Sequence, residues 1–320
     1  MRNAILLALL AGACETVPPA PARERAEERA IVVCGEAIAI GAPVVRWSEP
    51  PYYDAYRCEP RFDGDAALAP RGLHYRPGRA IKLADGGSIT LVEPDGHDLA
   101  ALQRVVDLLV LHYDACGTSE ACFRVLHDQR GLSVHFLLDV DGTIYQTLDL
   151  RDQAWHATAA NARSIGIEIA HVGAYPPGQR SPLDDWYGAD AAGTRLSPER
   201  LHRSDRAFRP ARPGRIRGQV HGGLYEQPDF TPEQYRSLVE LTVALCTLFP
   251  LLAAEAPRDG DGQVRKDALD ADAFASFHGI LGHSHVTRRK IDPGPAFDWE
   301  GFLAEVRAAL AARRRAPAAP

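Results

Sequence analysis

From residue 107 onward the hydrophobic pattern of the chain becomes regular enough to assign elements. "DLLVLHYD", residues 107–114, is an unbroken apolar run closing on polar residues, the pattern of a strand buried on both faces. Helical spacing follows over 119–130, with Cys122, Val125 and Leu126 on one side. "VHFLLDVDGTIYQTL" predicts two strands around the Asp141-Gly142 turn, and "SIGIEIAH" predicts another buried strand interrupted by one acid, Glu168. Thr231, Pro232 and Gln234 form a capping-box start for a helix in which Tyr235, Leu238, Leu241, Thr242 and Leu245 recur with helical period. "GILGHSHV" reads as a last core strand, and "DWEGFLAEVRAALAAR" as a closing amphipathic helix capped by Asp298. Strands alternating with helices predict an α/β fold: a central mixed, mainly parallel sheet flanked by helices, with a β-rich N-terminal extension.

The remaining segments fit around that core. Residues 31–100 hold short apolar runs such as "AIVV" and "SITLV" broken by Pro and Gly, which gives the β-rich extension. Residues 101–315 form the main domain, and 175–230, rich in Pro, Gly and Arg without periodicity, reads as a surface insertion. Residues 15–30 are proline-, alanine- and charge-rich, too poor in bulky apolar residues to build a core, and read as a tether.

Charge and composition narrow the functional classes. The chain has 320 residues, 46% hydrophobic content and a formal net charge of −6. It has no Lys/Arg cluster interleaved with aromatics, which sets nucleic acid aside as a partner. The first residues, "MRNAILLALLAGAC", place one early positive charge before a short apolar run from Ile5 to Ala11. That run suits an export signal and is too short to span a bilayer. "LAGAC" resembles the lipobox of bacterial lipoproteins, which implies lipidation at Cys14 and attachment to a membrane; Glu15 is not the aspartate expected to retain a lipoprotein at an inner membrane. The expected location is the cell envelope, on the periplasmic face of an outer membrane. Export makes pairing among Cys34, Cys58, Cys116, Cys122 and Cys246 plausible chemistry, and Cys116 and Cys122 are close enough in sequence to staple a loop. Cys246, on the apolar side of a helical pattern, reads as a buried thiol.

Polar side chains at the ends of parallel strands gather at one sheet edge, where α/β proteins bind ligands. His112 follows "DLLVL", Glu168 lies within "IGIEI", His283 follows "GILG", and Asp292 sits on the next loop. Two imidazoles and a carboxylate would leave one position of tetrahedral zinc open for water, as in catalytic sites. His285 offers an alternative. On a strand, His283 and His285 point to the same face, and an H-x-H pair of this kind serves a different class of cell-wall zinc peptidases. His127, His202, His221 and His278 read as surface or hydrogen-bonded core residues.

Four stretches, "VLHYDACGTSEACF", "SVHFLLDVDGTIYQ", "AWHATAANARSIGIEIAH" and "GHSHVTRRKIDPGPAFDW", occur in an order that resembles the zinc-dependent N-acetylmuramoyl-L-alanine amidases, which are related to peptidoglycan recognition proteins. The likeness runs over roughly 105–305, outside the N-terminal segment and the 175–230 insertion. It implies Zn2+ held by His112, His283 and Asp292, with Glu168 as the acid that takes a proton from water. Lys290 would stabilise charge on the attacked carbonyl. It further implies Trp155 and His156 along a substrate groove, Asn161 as a hydrogen-bonding substrate contact, and a disulfide between Cys116 and Cys122. Arg288 and Arg289 could hold carboxylates of a stem peptide or simply face solvent. The substrate implied is peptidoglycan or a muropeptide, cut between the lactyl carbonyl of N-acetylmuramic acid and L-alanine. A binding module without turnover is the alternative from another class.

Overall fold

A computed structural model describes residues 29–62, 73–83, 86–202 and 206–315. The proposed signal and lipidation segment, Cys14 included, and residues 15–28 of the tether lie outside them.

The fold is built on a six-stranded sheet in the order Gly279–Gly282, Leu108–Tyr113, Ser164–Ile169, Phe136–Leu138, Ile144–Gln146, Val44–Arg46. Only the Phe136–Leu138 and Ile144–Gln146 neighbours are antiparallel, joined through the Asp141-Gly142 turn. All other pairs in this sheet are parallel. The mixed, mainly parallel sheet read from the hydrophobic runs is therefore the one found. The β-rich extension adds the edge strand Val44–Arg46 and places Ile31 and Val33 in the main core.

Alternation along the strands determines what faces what. Leu109 and Leu111, with Ile165, Ile167 and Ile169, pack into the core that includes Leu241 and Leu245 of helix Pro232–Leu248 and Phe302 and Val306 of helix Trp299–Arg315. Leu108 and Val110 face the other side, against Ala157, Ala160 and Leu281. Leu108 through Leu111 are all 0% exposed, so each contributes about 1.5–3 kcal/mol of apolar burial. His112 continues the Leu108–Val110 face, and Glu168 continues that of Gly166 on the neighbouring strand. The expected helix starts are present. Thr231 and Gln234 cap reciprocally, and Asp298 Oδ1 accepts from Gly301 N at 3.1 Å.

Three local readings change. The "GILGHSHV" strand stops at Gly282, and His283–Val286 is a single helical turn. Helical residues 119–130 divide into Ser119–Phe123 and a π-helical Arg124–Gln129. Residues 175–230, read as a surface insertion, hold two hairpins, Tyr187–Asp190 with Gly193–Leu196 and Arg215–Val220 with Gly223–Pro228. The second closes through His221 (φ +52°) and Gly222 (φ +76°), the left-handed pair of a two-residue type I′ turn. Its strands carry Arg, Gln and Glu, which hides them from a search for apolar alternation. No helix among the described residues is long and apolar enough to cross a membrane.

Candidate metal centre and active-site groove

Strand register brings the candidate residues together. His112 lies directly opposite Glu168 across one parallel pair, and Leu111 opposite Gly282 across the other, so His283 emerges beside His112. The loop after His283 returns Asp292 to the same point, where Ser284 N donates to Asp292 O at 3.0 Å.

The donor atoms converge closely. His112 Nδ1 lies 2.9 Å from His283 Nδ1 and 3.0 Å from Asp292 Oδ2, and His283 Nδ1 lies 3.2 Å from that same oxygen. All three residues are buried, and they form a His/Cys/Asp/Glu group able to hold a metal ion. Tetrahedral zinc with ligand bonds near 2.1 Å separates its donors by about 3.4 Å, close to this spacing. The charge states fit as well. Burial, followed by the neighbouring His283, lowers His112 to about 4, which keeps its ring neutral as a ligand must be. Burial alone would raise the Asp292 carboxyl, but the His112 and His283 rings hold it well below the usual carboxylate range.

Glu168 stands just outside this triangle. Its side chain is 12% exposed, with Oε1 4.0 Å from His112 Nδ1, too far to share the donors' spacing. Burial, then the charges of Asp292 and Asp114, raises its carboxyl well above the ordinary value, so a proton is retained there more readily than on a free glutamate.

His285 is not part of the cluster. Because His283–Val286 turns as a helix, the two histidines do not share a face. Both nitrogens of the buried His285 ring are occupied by backbone: Gly282 N donates to Nδ1 at 2.9 Å, and Nε2 donates to Arg265 O at 2.6 Å. The strand-based H-x-H alternative is corrected on that ground.

A groove of about 810 Å³ opens over the cluster, lined by His112, Glu168, His283 and Asp292 with Trp155, Asn161, Arg289 and Lys290 on its walls. Trp155 is half-buried and Lys290 exposed. His156 also lines the groove, next to Trp155, and its ring reaches inward: its Nδ1 is 3.0 Å from His112 Nε2 and its Nε2 3.1 Å from Ser164 Oγ. It supports His112 from behind, in the manner of outer partners that fix a metal-binding imidazole. Gly166 makes room for it, since a Cβ there would meet His156 Nδ1 at 2.5 Å. Asn161 Oδ1 accepts from His156 N and Ala157 N at 3.2 and 2.7 Å, which ties the polar side of that turn to local backbone.

The expected Cys116–Cys122 disulfide is not formed; Cys34, Cys58, Cys116, Cys122 and Cys246 are all free thiols. Cys116 and Cys122 are hydrogen-bonded neighbours, and burial first, then that bond, holds the Cys122 thiol well above its ordinary pKa. Cys246 is half-buried, its thiol pushed up to about 12 by burial.

Two supporting residues had no legible signal. Asp114 Oδ1 accepts from Cys116 N, Gly117 N and His171 N, which shapes the turn leaving the His112 strand. Arg79, 1% exposed, donates from the N-terminal extension to Leu150 O and Ser164 O beneath the site. An Arg opening the short strand Arg79–Lys82 carries no pattern of its own, so only the folded chain reveals it.

A family model described as N-acetylmuramoyl-L-alanine amidase matches residues 102–295, more than half of the chain. The chain belongs to that family. It is 27% identical over 180 residues to the 1,6-anhydro-N-acetylmuramyl-L-alanine amidase AmpD of Haemophilus influenzae, covering 56% of this chain and 61% of that relative. The chain thus spans less than two thirds of that relative's length. Among solved structures, the E. coli N-acetylmuramyl-L-alanine amidase AmiD, in complex with anhydro-N-acetylmuramic acid-L-Ala-D-gamma-Glu-L-Lys, matches at 18% identity and a TM-score of 0.36, covering 62% of this chain and 57% of that one. An endolysin amidase, LysCS, of Clostridium intestinale URNW matches at 18% identity and a TM-score of 0.34, covering 64% and 86%.

Proposed function

We propose that this member of the family is a zinc-dependent amidase that hydrolyses the amide between the lactyl carbonyl of N-acetylmuramic acid and L-alanine of a peptidoglycan stem peptide. The observation that carries the reading is the buried meeting of His112 Nδ1, His283 Nδ1 and Asp292 Oδ2 beside Glu168 at the floor of the groove. Zinc bound by these donors supplies Lewis acidity, which makes water more acidic and a carbonyl more electrophilic at neutral pH. His156 Nδ1, against His112 Nε2, keeps the His112 ring turned toward its partners. Glu168 accepts the proton of the attacking water at a carboxylate oxygen and returns it to the departing amine. Lys290, at the rim, offers its ammonium to the carbonyl oxygen as negative charge develops there. Trp155 gives the groove an apolar wall against which a sugar or peptide can lie.

Incubation with purified muropeptides, with and without chelator, tests the reading. Metal-dependent release of stem peptides with L-alanine at their N-terminus supports it; binding without release leaves only a recognition module. The envelope location rests on the pattern of residues 1–14, and we extend the proposal to a lipid anchor at Cys14. Palmitate labelling that survives Cys14→Ala would overturn that part.

A further inference from the structure

The least legible part of the sequence, residues 175–230, touches the loop that carries Asp292. Asp292 is the one donor that does not sit at a strand end, and a loop donor holds its place only if the loop is held. On one side, Ser284 N fixes Asp292 O at 3.0 Å. On the other, the Arg215–Pro228 hairpin grips the chain on both flanks of Asp292. At the hairpin tip, His221 Nε2 donates to Lys290 O at 2.9 Å. On its second strand, the fully buried Gln227 donates from Nε2 to Pro293 O and accepts at Oε1 from Ala296 N, both at 3.1 Å. Just before the hairpin, Arg212 donates to Ala296 O and pairs through Nε with Asp229 Oδ2 at 2.6 Å.

The fit leaves no slack. Gly294, at φ +86°, lies so close that a Cβ there would fall 2.1 Å from Gln227 Oε1. The hairpin is itself stiffened. Its strands pair from Arg215↔Pro228 to Val220↔Gly223, and Glu226 is bound by Arg215 and Arg217 at 2.9 and 3.1 Å and exchanges backbone hydrogen bonds with Tyr175.

We propose that this hairpin is a brace for the third metal donor, with Gln227 and His221 as positioning residues that hold Lys290–Ala296 in the metal-ready conformation before any ion arrives. The inference rests on the reading of His112, His283 and Asp292 as a metal site. It adds that affinity for the ion is set in part by residues 175–230. His221 donates through Nε2 to a carbonyl in this arrangement, so its part is structural pre-organisation and not proton transfer.

The test uses the full chain with His221→Ala and Gln227→Leu. Zinc affinity is read by competition with a chromophoric chelator, and amide hydrogen exchange is read in the metal-free protein. Outer supports of metal ligands are commonly worth tenfold or more in affinity. Gln227→Leu should weaken zinc by about tenfold or more and His221→Ala by about threefold or more, on that scale. Exchange over residues 288–296 should accelerate in both variants, while strand 108–113 keeps wild-type protection. Zinc affinity within twofold of wild type together with unchanged exchange over 288–296, in variants whose core strands remain protected, overturns the brace. If Gln227→Leu does not fold, His221→Ala at the hairpin tip decides alone. A wild-type chain that binds no zinc, or one whose zinc binding survives His112→Ala, sinks the metal reading instead. The exchange comparison in metal-free protein still judges the brace in that case.

Discussion

Replacing Glu168 by glutamine separates proton transfer from metal binding with almost no change in volume. Glu168 Oε1 is 4.0 Å from His112 Nδ1, whereas the three donors lie 2.9–3.2 Å from one another, so the amide should leave the metal cluster intact. What it removes is a carboxylate able to take and return a proton. A positioned general acid–base contributes about 10²–10⁴ in rate. At about 1.4 kcal/mol per decade that is a barrier increase of roughly 3–5.5 kcal/mol. Stability should move little or rise, because burial already disfavours the Glu168 carboxylate and a neutral amide escapes that cost. The assay is stem-peptide release from a defined muropeptide, with zinc content and thermal midpoint measured on the same preparation. The expected result is kcat down by two decades or more, with zinc content and midpoint at or above wild type. Activity within tenfold of wild type refutes the assignment of Glu168 as the base. Loss of zinc in parallel with activity refutes the separation of its role from the donors'.

Two further predictions come from the same geometry. Asp292→Ala should strip zinc from the purified protein, whereas His285→Ala should leave most of it, because both His285 nitrogens serve backbone groups; equal or reversed losses count against the donor assignment. The acid limb of stability should carry a histidine signature. Burial lowers His171 to about 4, and burial with the nearby Arg79 charge lowers His135 to about 3. The unfolded chain binds these protons from about pH 6.5 downward and the folded chain does not, so stability falls with pH across that window. Each histidine steepens the fall by up to about 1.4 kcal/mol per pH unit, and the contribution ends near the folded value. Denaturant titrations of wild type and His171→Asn between pH 7 and 4 check this; equal slopes would contradict it.

The sheet was legible because burial on both faces leaves an unmistakable mark: Leu108 to Leu111 form one uninterrupted apolar run, and any polar residue ending such a run, as His112 does, stands out. The same holds for Glu168 inside "IGIEI". The two-histidine alternative survived in the sequence because nothing in "GILGHSHV" says where the strand ends. That boundary is set by Gly282 and by the return of the Asp292 loop against it, a tertiary contact. The Cys116–Cys122 pairing was read from likeness and from closeness in sequence, and neither by itself makes the bond. Residues 175–230 were opaque for a different reason. Its Arg215–Pro228 hairpin spends its side chains on ion pairs and on hydrogen bonds to a distant loop, so the apolar alternation that betrays a strand is missing. Gln227 and His221 acquire meaning only from the carbonyls and amides they meet. Arg79 is hidden in the same way, its partners being the His135 ring and main-chain oxygens that carry no sequence identity.

The most direct test of the central claim is a single muropeptide digest in which zinc content and product masses are read together, before chelation, after it and after zinc is restored. The account predicts about one zinc per chain and stem peptides beginning at L-alanine that vanish with the metal and return with it. Products cut inside the stem, or release that continues at full rate once the protein is free of metal, would contradict it.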